Sequence, residues 1–392
     1  MAVLDDGAFV VDGGSCICNN TAGWGGGGLF ATDKAHVFVM GAGRVDFNSA
    51  FDGAGGGVFV DVNASLMIAS GSSVCNNTAG GDGGGVAAYD QAHVTISGTS
   101  SVCANNAVNG SGGGVHMEGN ASLTITGSSS VCNNTSGGVR RDNDAGGGGV
   151  TILGHAQATI NSTSRVCANT ATNNTGGGVF AGDYARLTID GGSGVCNNTA
   201  GLGGGVAVYN KTLVIISGNS FVCANIAPCG PGGGVVVVDD ARLTITDGSR
   251  VCKNTAGIGG GGISIFDRAQ VTISGTSSVS ANNASLSFGG GLNVNDDARL
   301  TITGGSSVCY NTASGDGGGV VMYGRAQLTV TGGSSVRYNR GEGGGGISVR
   351  EQARVTITNA SSVFNNTAAG FSGGGVKIDN DAQLNITGGS RV

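Results

Sequence analysis

Residues 83–105 read GGGVAAYDQAHVTISGTSSVCAN, and this stretch decides the fold because its pattern recurs along the whole chain. A run of three glycines followed by an aliphatic residue occurs thirteen times. The aliphatic residues are Leu29, Val58, Val86, Val115, Val150, Val179, Val206, Val235, Ile263, Leu292, Val320, Ile347 and Val376. Their mean spacing is about 29 residues, a period typical of proteins built from stacked repeats.

The spacing inside each copy is constant. An Ile or Val follows the first aliphatic residue after ten positions and another follows after six more, as in Val86, Ile96 and Val102. An Asn then stands three positions further on. The thirteen residues at this position are Asn20, Asn48, Asn77, Asn105, Asn134, Asn169, Asn198, Asn225, Asn254, Asn282, Asn311, Asn339 and Asn366. Length changes fall only between this Asn and the next glycines, so this segment is predicted to form loops at one variable edge.

Apolar residues alternate with polar or mixed ones in each copy, as in Val94 and Ile96. Alternation with a period of two indicates β-strands. Because each short strand cannot bury its apolar face alone, the copies must stack. We therefore predict an all-β fold, a single-stranded right-handed parallel β-helix (β-solenoid) with about 13 rungs of about 29 residues and three short strands per rung. The right hand is expected from the crossover preference of parallel strands.

The organisation is predicted to be one continuous β-solenoid domain over residues 1–392, with a loop insertion at residues 135–146. The chain stops within a copy, at Val392, so we expect it to be a fragment of a longer rod. Apolar rungs at open ends favour end-to-end self-association.

The recurring Asn is predicted to form a ladder of stacked amides. At the strand spacing of about 4.8 Å, each side-chain amide can donate a hydrogen bond to the carbonyl oxygen of the next one. A buried amide without a partner is costly. Stacking therefore explains why Asn recurs at this position.

The motifs Val-x-x-Asn and Gly-Gly-Gly-Val resemble the FxxN and GGAI repeats of the polymorphic outer membrane proteins, the β-helical passenger domains of chlamydial autotransporters. The likeness extends over the whole chain, although Val or Ile stands here for Phe and Gly for Ala. That family consists of surface adhesins. The resemblance therefore implies a β-helical, adhesin-like protein of the cell surface.

Most of the eleven cysteines share one column, directly after the inward Val or Ile of the third strand. The column contains Cys18, Cys75, Cys103, Cys132, Cys167, Cys196, Cys223, Cys252 and Cys309. Alternation predicts that they point outward. In one interpretation disulfides bridge adjacent rungs, for example Cys75 to Cys103, in an oxidising compartment. In a second they are reduced, semi-buried thiols, and a metal site fits less well because no His or carboxylate column accompanies them.

Charge and composition exclude several classes of protein. The formal net charge is -6 and charged residues are only 11%, which gives no basic footprint for nucleic acid. No apolar run approaches the ~18 residues of a membrane helix, and residues 1–11 lack the pattern of a signal peptide. The glycine runs are not followed by the Lys-Ser/Thr of a phosphate loop. We expect no cofactor, and an extracellular or cell-surface location.

Catalytic candidates are few, since the chain contains only four His. The candidate binding edge is the insertion with Arg140, Arg141, Asp142 and Asp144. Other right-handed β-helices are polysaccharide lyases or epimerases that use such groups, which is the alternative enzymatic hypothesis. A regular repeat argues against it, because catalytic groups must converge at one point.

A column of exposed Thr residues in the second strand, including Thr244 and Thr301, resembles the faces of β-helical antifreeze proteins. Ice binding is therefore a second alternative. The favoured hypothesis is a non-enzymatic, adhesin-like protein or rigid structural spacer whose partners are cell-surface glycans or proteins.

Overall fold

A computed structural model describes residues 1–138, 146–370 and 372–392 and confirms the predicted fold class. The described residues contain 54 β-strands and no helix, and they form a parallel β-solenoid of about 13 turns with about 29 residues per turn. The predicted insertion at residues 135–146 falls mostly outside the described residues. The chain divides into two compact units, Met1–Ala200 and Gly201–Val392.

Each turn contains four strands rather than the three predicted. In one turn these are Val86–Ala88, His93–Ile96, Ser101–Cys103 and Asn106–Ala107. The fourth strand was missed because in most turns it has only two residues, which are too few to show an alternating pattern. Within each unit every strand pairs in parallel with the same strand of the neighbouring turns, for example Val86 opposite Val115. We call the four resulting stacks the first to fourth ladders.

Each ladder contains one strand from every turn, in chain order. The first strands are Ala2–Val3, Leu29–Ala31, Val58–Val60, Val86–Ala88, Val115–Met117, Val150–Ile152, Val179–Ala181, Val206–Val208, Val235–Val237, Ile263–Ile265, Leu292–Val294, Val320–Met322, Ile347–Val349 and Val376–Ile378. The second strands are Ala8–Val11, His36–Val39, Ser65–Ile68, His93–Ile96, Ser122–Ile125, Gln157–Ile160, Arg186–Ile189, Leu213–Ile216, Arg242–Ile245, Gln270–Ile273, Arg299–Ile302, Gln327–Val330, Arg354–Ile357 and Gln383–Ile386. The third strands are Cys16–Cys18, Arg44–Asp46, Ser73–Cys75, Ser101–Cys103, Ser130–Cys132, Arg165–Cys167, Gly194–Cys196, Phe221–Cys223, Arg250–Cys252, Ser278–Ser280, Ser307–Cys309, Ser335–Arg337 and Ser362–Phe364. The fourth strands are Thr21–Ala22, Ser49–Ala50, Thr78–Ala79, Asn106–Ala107, Thr135–Ser136, Thr170–Thr175, Thr199–Leu202, Ile226–Ala227, Thr255–Ala256, Asn283–Ala284, Thr312–Ala313, Arg340–Gly341 and Thr367–Ala368.

The core consists of the alternating aliphatic columns. Val86, Val94, Ile96 and Val102 are at most 2% exposed, and the same positions are buried in nearly every turn. Burying a Val or Ile side chain contributes about 1.5–3 kcal/mol. Since each turn supplies only a few such residues, stability depends on stacking many turns.

The predicted amide ladder is present in both units. In the turn of Asn77, its Oδ1 accepts from the backbone N–H of Asn48 at 2.9 Å and from the Asn48 Nδ2 at 3.1 Å. Its own Nδ2 donates to the Asn105 Oδ1 at 3.0 Å and to the Val45 carbonyl oxygen at 3.0 Å. Asn77 is fully buried. Both ends of the amide are thus satisfied by the neighbouring turns.

Two glycines of each triplet have separate roles. Gly83 has a φ of +64°, a conformation that L side chains rarely adopt. A Cβ added to Gly85 would lie 2.7 Å from the Nδ2 of Asn105. The third glycine is therefore required because the ladder amide lies directly against its backbone.

Replacing Asn77 with Ala is expected to lower the free energy of unfolding by about 1–3 kcal/mol, because buried donors and acceptors in both neighbouring turns lose their partners. Urea denaturation measures the change. Met67→Ala, at a 38% exposed position of the second ladder, is the control and should change stability by no more than about 0.5 kcal/mol. A loss for Asn77→Ala as small as the control's would contradict the ladder's energetic role.

Candidate functional site

Within each unit, the described segments between a ladder Asn and the next glycines lie on one side, which we call the variable edge; residues 106–111 and 283–288 are examples. The predicted binding residues of this edge, Arg140, Arg141, Asp142 and Asp144, lie outside the described residues. Two other side-chain clusters, one in each unit, join residues of the variable edge to residues in or next to the first ladder. Neither was predicted as a site from the sequence.

The first cluster, in the unit Met1–Ala200, joins Asp82, Ser111, His116 and Glu118. The Ser111 Oγ lies 3.0 Å from the Asp82 Oδ1 and 3.0 Å from the His116 Nδ1. The His116 Nε2 lies 3.4 Å from a Glu118 carboxylate oxygen. The pairing of His116 with a hydroxyl was not predicted, because Ser111 belongs to a variable segment whose path the repeat pattern does not define.

These groups include a hydroxyl, an imidazole and carboxylates, which are the components of nucleophilic catalysis. However, Ser111 and His116 are fully buried, so no substrate reaches the hydroxyl in this structure. The Asp82 Oδ1 also accepts a hydrogen bond from the backbone N–H of Ser111, at 2.8 Å. We therefore interpret the cluster as a network that satisfies a buried carboxylate.

The second cluster, in the unit Gly201–Val392, follows from the column of residues directly after the first strands. In five consecutive turns this column contains Phe266, Asn295, Tyr323, Arg350 and Asp379. Consecutive turns are about 4.8 Å apart. A small amide thus stands between two aromatic rings, and the difference in size leaves a recess above Asn295.

The recess opens into a groove of about 670 Å³, which we call the Phe288 groove. Its walls are Ile258, Gly259, Phe266, Ser287, Phe288, Asn293, Asn295, Asp296, Tyr323, Gly324, Arg350 and Glu351. Phe288 comes from a variable segment, and a Cβ on Gly315 would lie 2.6 Å from its ring. The glycine of the next turn therefore allows the ring to lie where it does.

Arg350 lines the groove and is held by several contacts. Its guanidinium carbon lies 5.3 Å from the ring centre of Phe288 and 5.6 Å from that of Tyr323, distances typical of cation–π contacts. It donates to the carboxylate of Asp316 and lies 3.8 Å from that of Asp379. Arg350 is therefore fixed in orientation, and its charge is already paired.

Asp316 is the buried centre of this ion-pair network, with Lys377 donating to it at 2.8 Å. Burial alone would raise its pKa, but the hydrogen bonds from Lys377 and Arg350 hold the pKa of this carboxyl below its ordinary value. The same bond raises the pKa of Lys377. Both groups therefore stay charged over a wide pH range.

Two amide oxygens at the groove have no hydrogen-bond partner, the Oδ1 of Asn293 and the Oδ1 of Asn295. Asn293 is only 8% exposed, and its amide lies against Gly259. Both oxygens have almost no accessible surface, and buried Ser hydroxyls of the regular repeat, such as those of Ser249 and Ser306, also have no partner. The two oxygens therefore do not by themselves mark a ligand site.

The cysteine column contains disulfides between adjacent turns. These are Cys75–Cys103, Cys132–Cys167 and Cys223–Cys252, each with a Cα–Cα distance of 4.6 Å. A fourth disulfide joins Cys16 to Cys18 within one strand. The register partner of Cys18 in the next turn is Asp46, so Cys18 has no thiol beside it there.

Three cysteines are free: Cys196, Cys229 and Cys309. The register partners of Cys309 are Ser280 and Arg337, so no second thiol is beside it. Cys196 lies opposite Cys167, which is already bonded to Cys132. Among the described residues no group of three or more His, Cys, Asp or Glu is arranged to hold a metal ion.

The outward Thr column is in register within each unit, for example Thr272 opposite Thr301 and Thr301 opposite Thr329. Exposed Arg side chains, among them Arg299, stand two positions before these residues. The Thr face is therefore interrupted by charge along one side.

Peptide mapping without reduction is expected to find the three disulfides between turns. On the native protein an alkylating reagent should modify the exposed Cys229 well before Cys196 and Cys309. Burial raises the pKa of Cys196, an effect that Arg165 partly offsets, and the thiolate is the reactive form. Rapid labelling of Cys75 or Cys132 would contradict the pairing.

Asp316→Asn is expected to lower stability by about 1.5–3 kcal/mol at neutral pH, because charged hydrogen bonds from Arg350 and Lys377 are lost. Since the pKa is lower in the folded state, this contribution is present above about pH 4 and disappears as the pH falls through the lowered pKa. Urea denaturation from pH 7 to pH 2 should show the two proteins converge at low pH. Asp297→Asn, which breaks the exposed pair with Arg325, is the control and should leave the urea midpoint unchanged.

Because the described residues contain no helix, none of them forms a membrane-spanning helix. Comparison of the chain with protein-family models, curated proteins and solved structures gives no match. The structure is that of a β-helix repeat protein, while the resemblance to the polymorphic outer membrane proteins rests on the repeat motifs alone.

Proposed function

We propose that this protein is a non-enzymatic, adhesin-like β-helical repeat protein that binds cell-surface glycans or proteins through its variable edge. The observation that carries the proposal is the Phe288 groove. It combines aromatic walls with the exposed carboxylates of Asp296 and Glu351 on an otherwise regular scaffold. A rigid structural spacer would need the scaffold but would not need the groove.

The cysteine pairing supports an extracellular or cell-surface location. Disulfides persist in oxidising compartments and are rare in the cytosol. Three of them join adjacent turns of the third ladder, the region between Cys75 and Cys252. They oppose separation of those turns, which suits a protein exposed outside the cell.

The competing hypothesis is a polysaccharide lyase or epimerase. Its candidate groups, from Arg140 to Asp144, lie outside the described residues. Within the described part, the hydroxyl and imidazole that do come together, in Ser111 and His116, are sealed from solvent. Binding without turnover is therefore the function that the observations support best.

The test incubates the purified chain with a panel of polysaccharides and with intact cells, and records binding and glycan cleavage in the same samples. We expect saturable binding and no new reducing ends or unsaturated products. Cells treated separately with glycosidases and with protease distinguish a glycan from a protein partner.

Cleavage of any glycan would contradict the proposal. In that event the protein with Arg140, Arg141, Asp142 and Asp144 all replaced by Ala shows whether the insertion carries the activity. Absence of binding to every cell and polysaccharide would instead favour a spacer.

A further inference from the structure

We infer that the Phe288 groove is a saccharide site and that its ligand is a short, neutral oligosaccharide. This inference rests on the proposed binding function and assigns it a place and a ligand class. It begins from the shape of the groove, whose volume of about 670 Å³ is within the range of small-ligand sites.

The walls offer aromatic surfaces on which a pyranose ring can pack. One face of such a ring presents C–H groups, which pack on the electron-rich face of an aromatic ring. Phe266, Phe288 and Tyr323 supply aromatic rings. Phe266 and Tyr323 are two turns apart, or about 10 Å at the strand spacing, so a sugar ring fits between them above Asn295.

The hydroxyl groups of a sugar are donors as well as acceptors, and the carboxylates of the groove supply acceptors. Asp296 and Glu351 both line the groove and are both exposed. A hydrogen bond from a ligand hydroxyl to a carboxylate is charge-assisted, which favours a hydroxylated ligand over an apolar one.

The charged side chains of the lining disfavour an acidic sugar as the ligand. Arg350 is the cation of the lining and is already paired with Asp316. The remaining charged groups of the lining, Asp296 and Glu351, are negative. A carboxylated or sulfated glycan would meet repulsion without gaining a free cation.

A cationic ligand is excluded by the same side chain. Aromatic walls beside carboxylates would otherwise suit a quaternary ammonium group. Here the guanidinium of Arg350 already lies against Phe288 and Tyr323. The place that a cationic group of a ligand would take is therefore already occupied by the Arg350 guanidinium.

The test measures binding of neutral hexasaccharides to the purified chain by isothermal titration calorimetry, with maltohexaose, cellohexaose, mannohexaose and chitohexaose as probes and a hyaluronan hexasaccharide as the acidic comparison. We expect at least one neutral probe to bind and the hyaluronan probe not to bind. Glu351→Ala and Phe288→Ala should each weaken binding at least ten-fold, and Tyr323→Phe should change it less than three-fold because the ring is kept.

Tyr338→Ala is the matched control, because it removes an aromatic ring from the same unit at a site away from the groove. Tyr338 stacks on Tyr310 at 5.1 Å, and Ala occupies the same position of the repeat at Ala281. Glu351→Ala should leave the thermal unfolding midpoint nearly unchanged, since the side chain is exposed. A structural role for Glu351 would instead lower that midpoint.

Neutral-saccharide binding that survives both Glu351→Ala and Phe288→Ala would overturn the groove as the site while leaving the binding function intact. Tight binding of the hyaluronan probe alone would overturn the ligand class. Binding to intact cells with no affinity for any neutral probe would overturn this inference only. Failure of the cell-binding experiment as well would remove the proposed function with it.

Discussion

The structure depends on one recurring requirement: the ladder amide of each turn must form hydrogen bonds with the ladder Asn residues of the two neighbouring turns. Asn77 meets it by bonding to Asn48 on one side and Asn105 on the other. A shift of register by one residue would bury unpaired amides and turn the aliphatic columns toward solvent. The spacing from the glycines to the Asn is therefore constant, and only the segment after the Asn is free to vary.

Much of the fold was predictable because the same pattern of Gly, aliphatic and Asn positions occurs thirteen times. Columns such as Val86, Ile96 and Val102 reveal strands, burial and stacking without knowledge of any contact. The two-residue fourth strand, exemplified by Thr78–Ala79, was not predictable, because two residues carry no period. Its pairing is a consequence of the stacking of the other three strands.

The candidate site was only partly predictable. The variable edge follows from the length changes, but the repeat does not show how Phe288 or Ser111 approaches the ladder beside it. Comparing the residues at one repeat position in successive turns gives one usable signal. The order Phe266, Asn295, Tyr323 and Arg350 places a small side chain between larger ones. The cysteine pairing is less defined still, because Cys75, Cys103, Cys132, Cys167 and Cys196 follow one another in register and permit three different pairs of disulfides between neighbouring turns.

A solenoid places side chains of one column about 4.8 Å apart and in nearly the same direction. That geometry suits an extended ligand, which can contact several turns at once, and it suits catalysis poorly, because reacting groups must converge on one atom. Where groups do converge, at Ser111 and His116, they fill the space themselves. At the Phe288 groove a small residue between larger neighbours leaves space instead. The variation of side-chain size along a column, more than the presence of reactive groups, thus determines where this fold can accept a ligand.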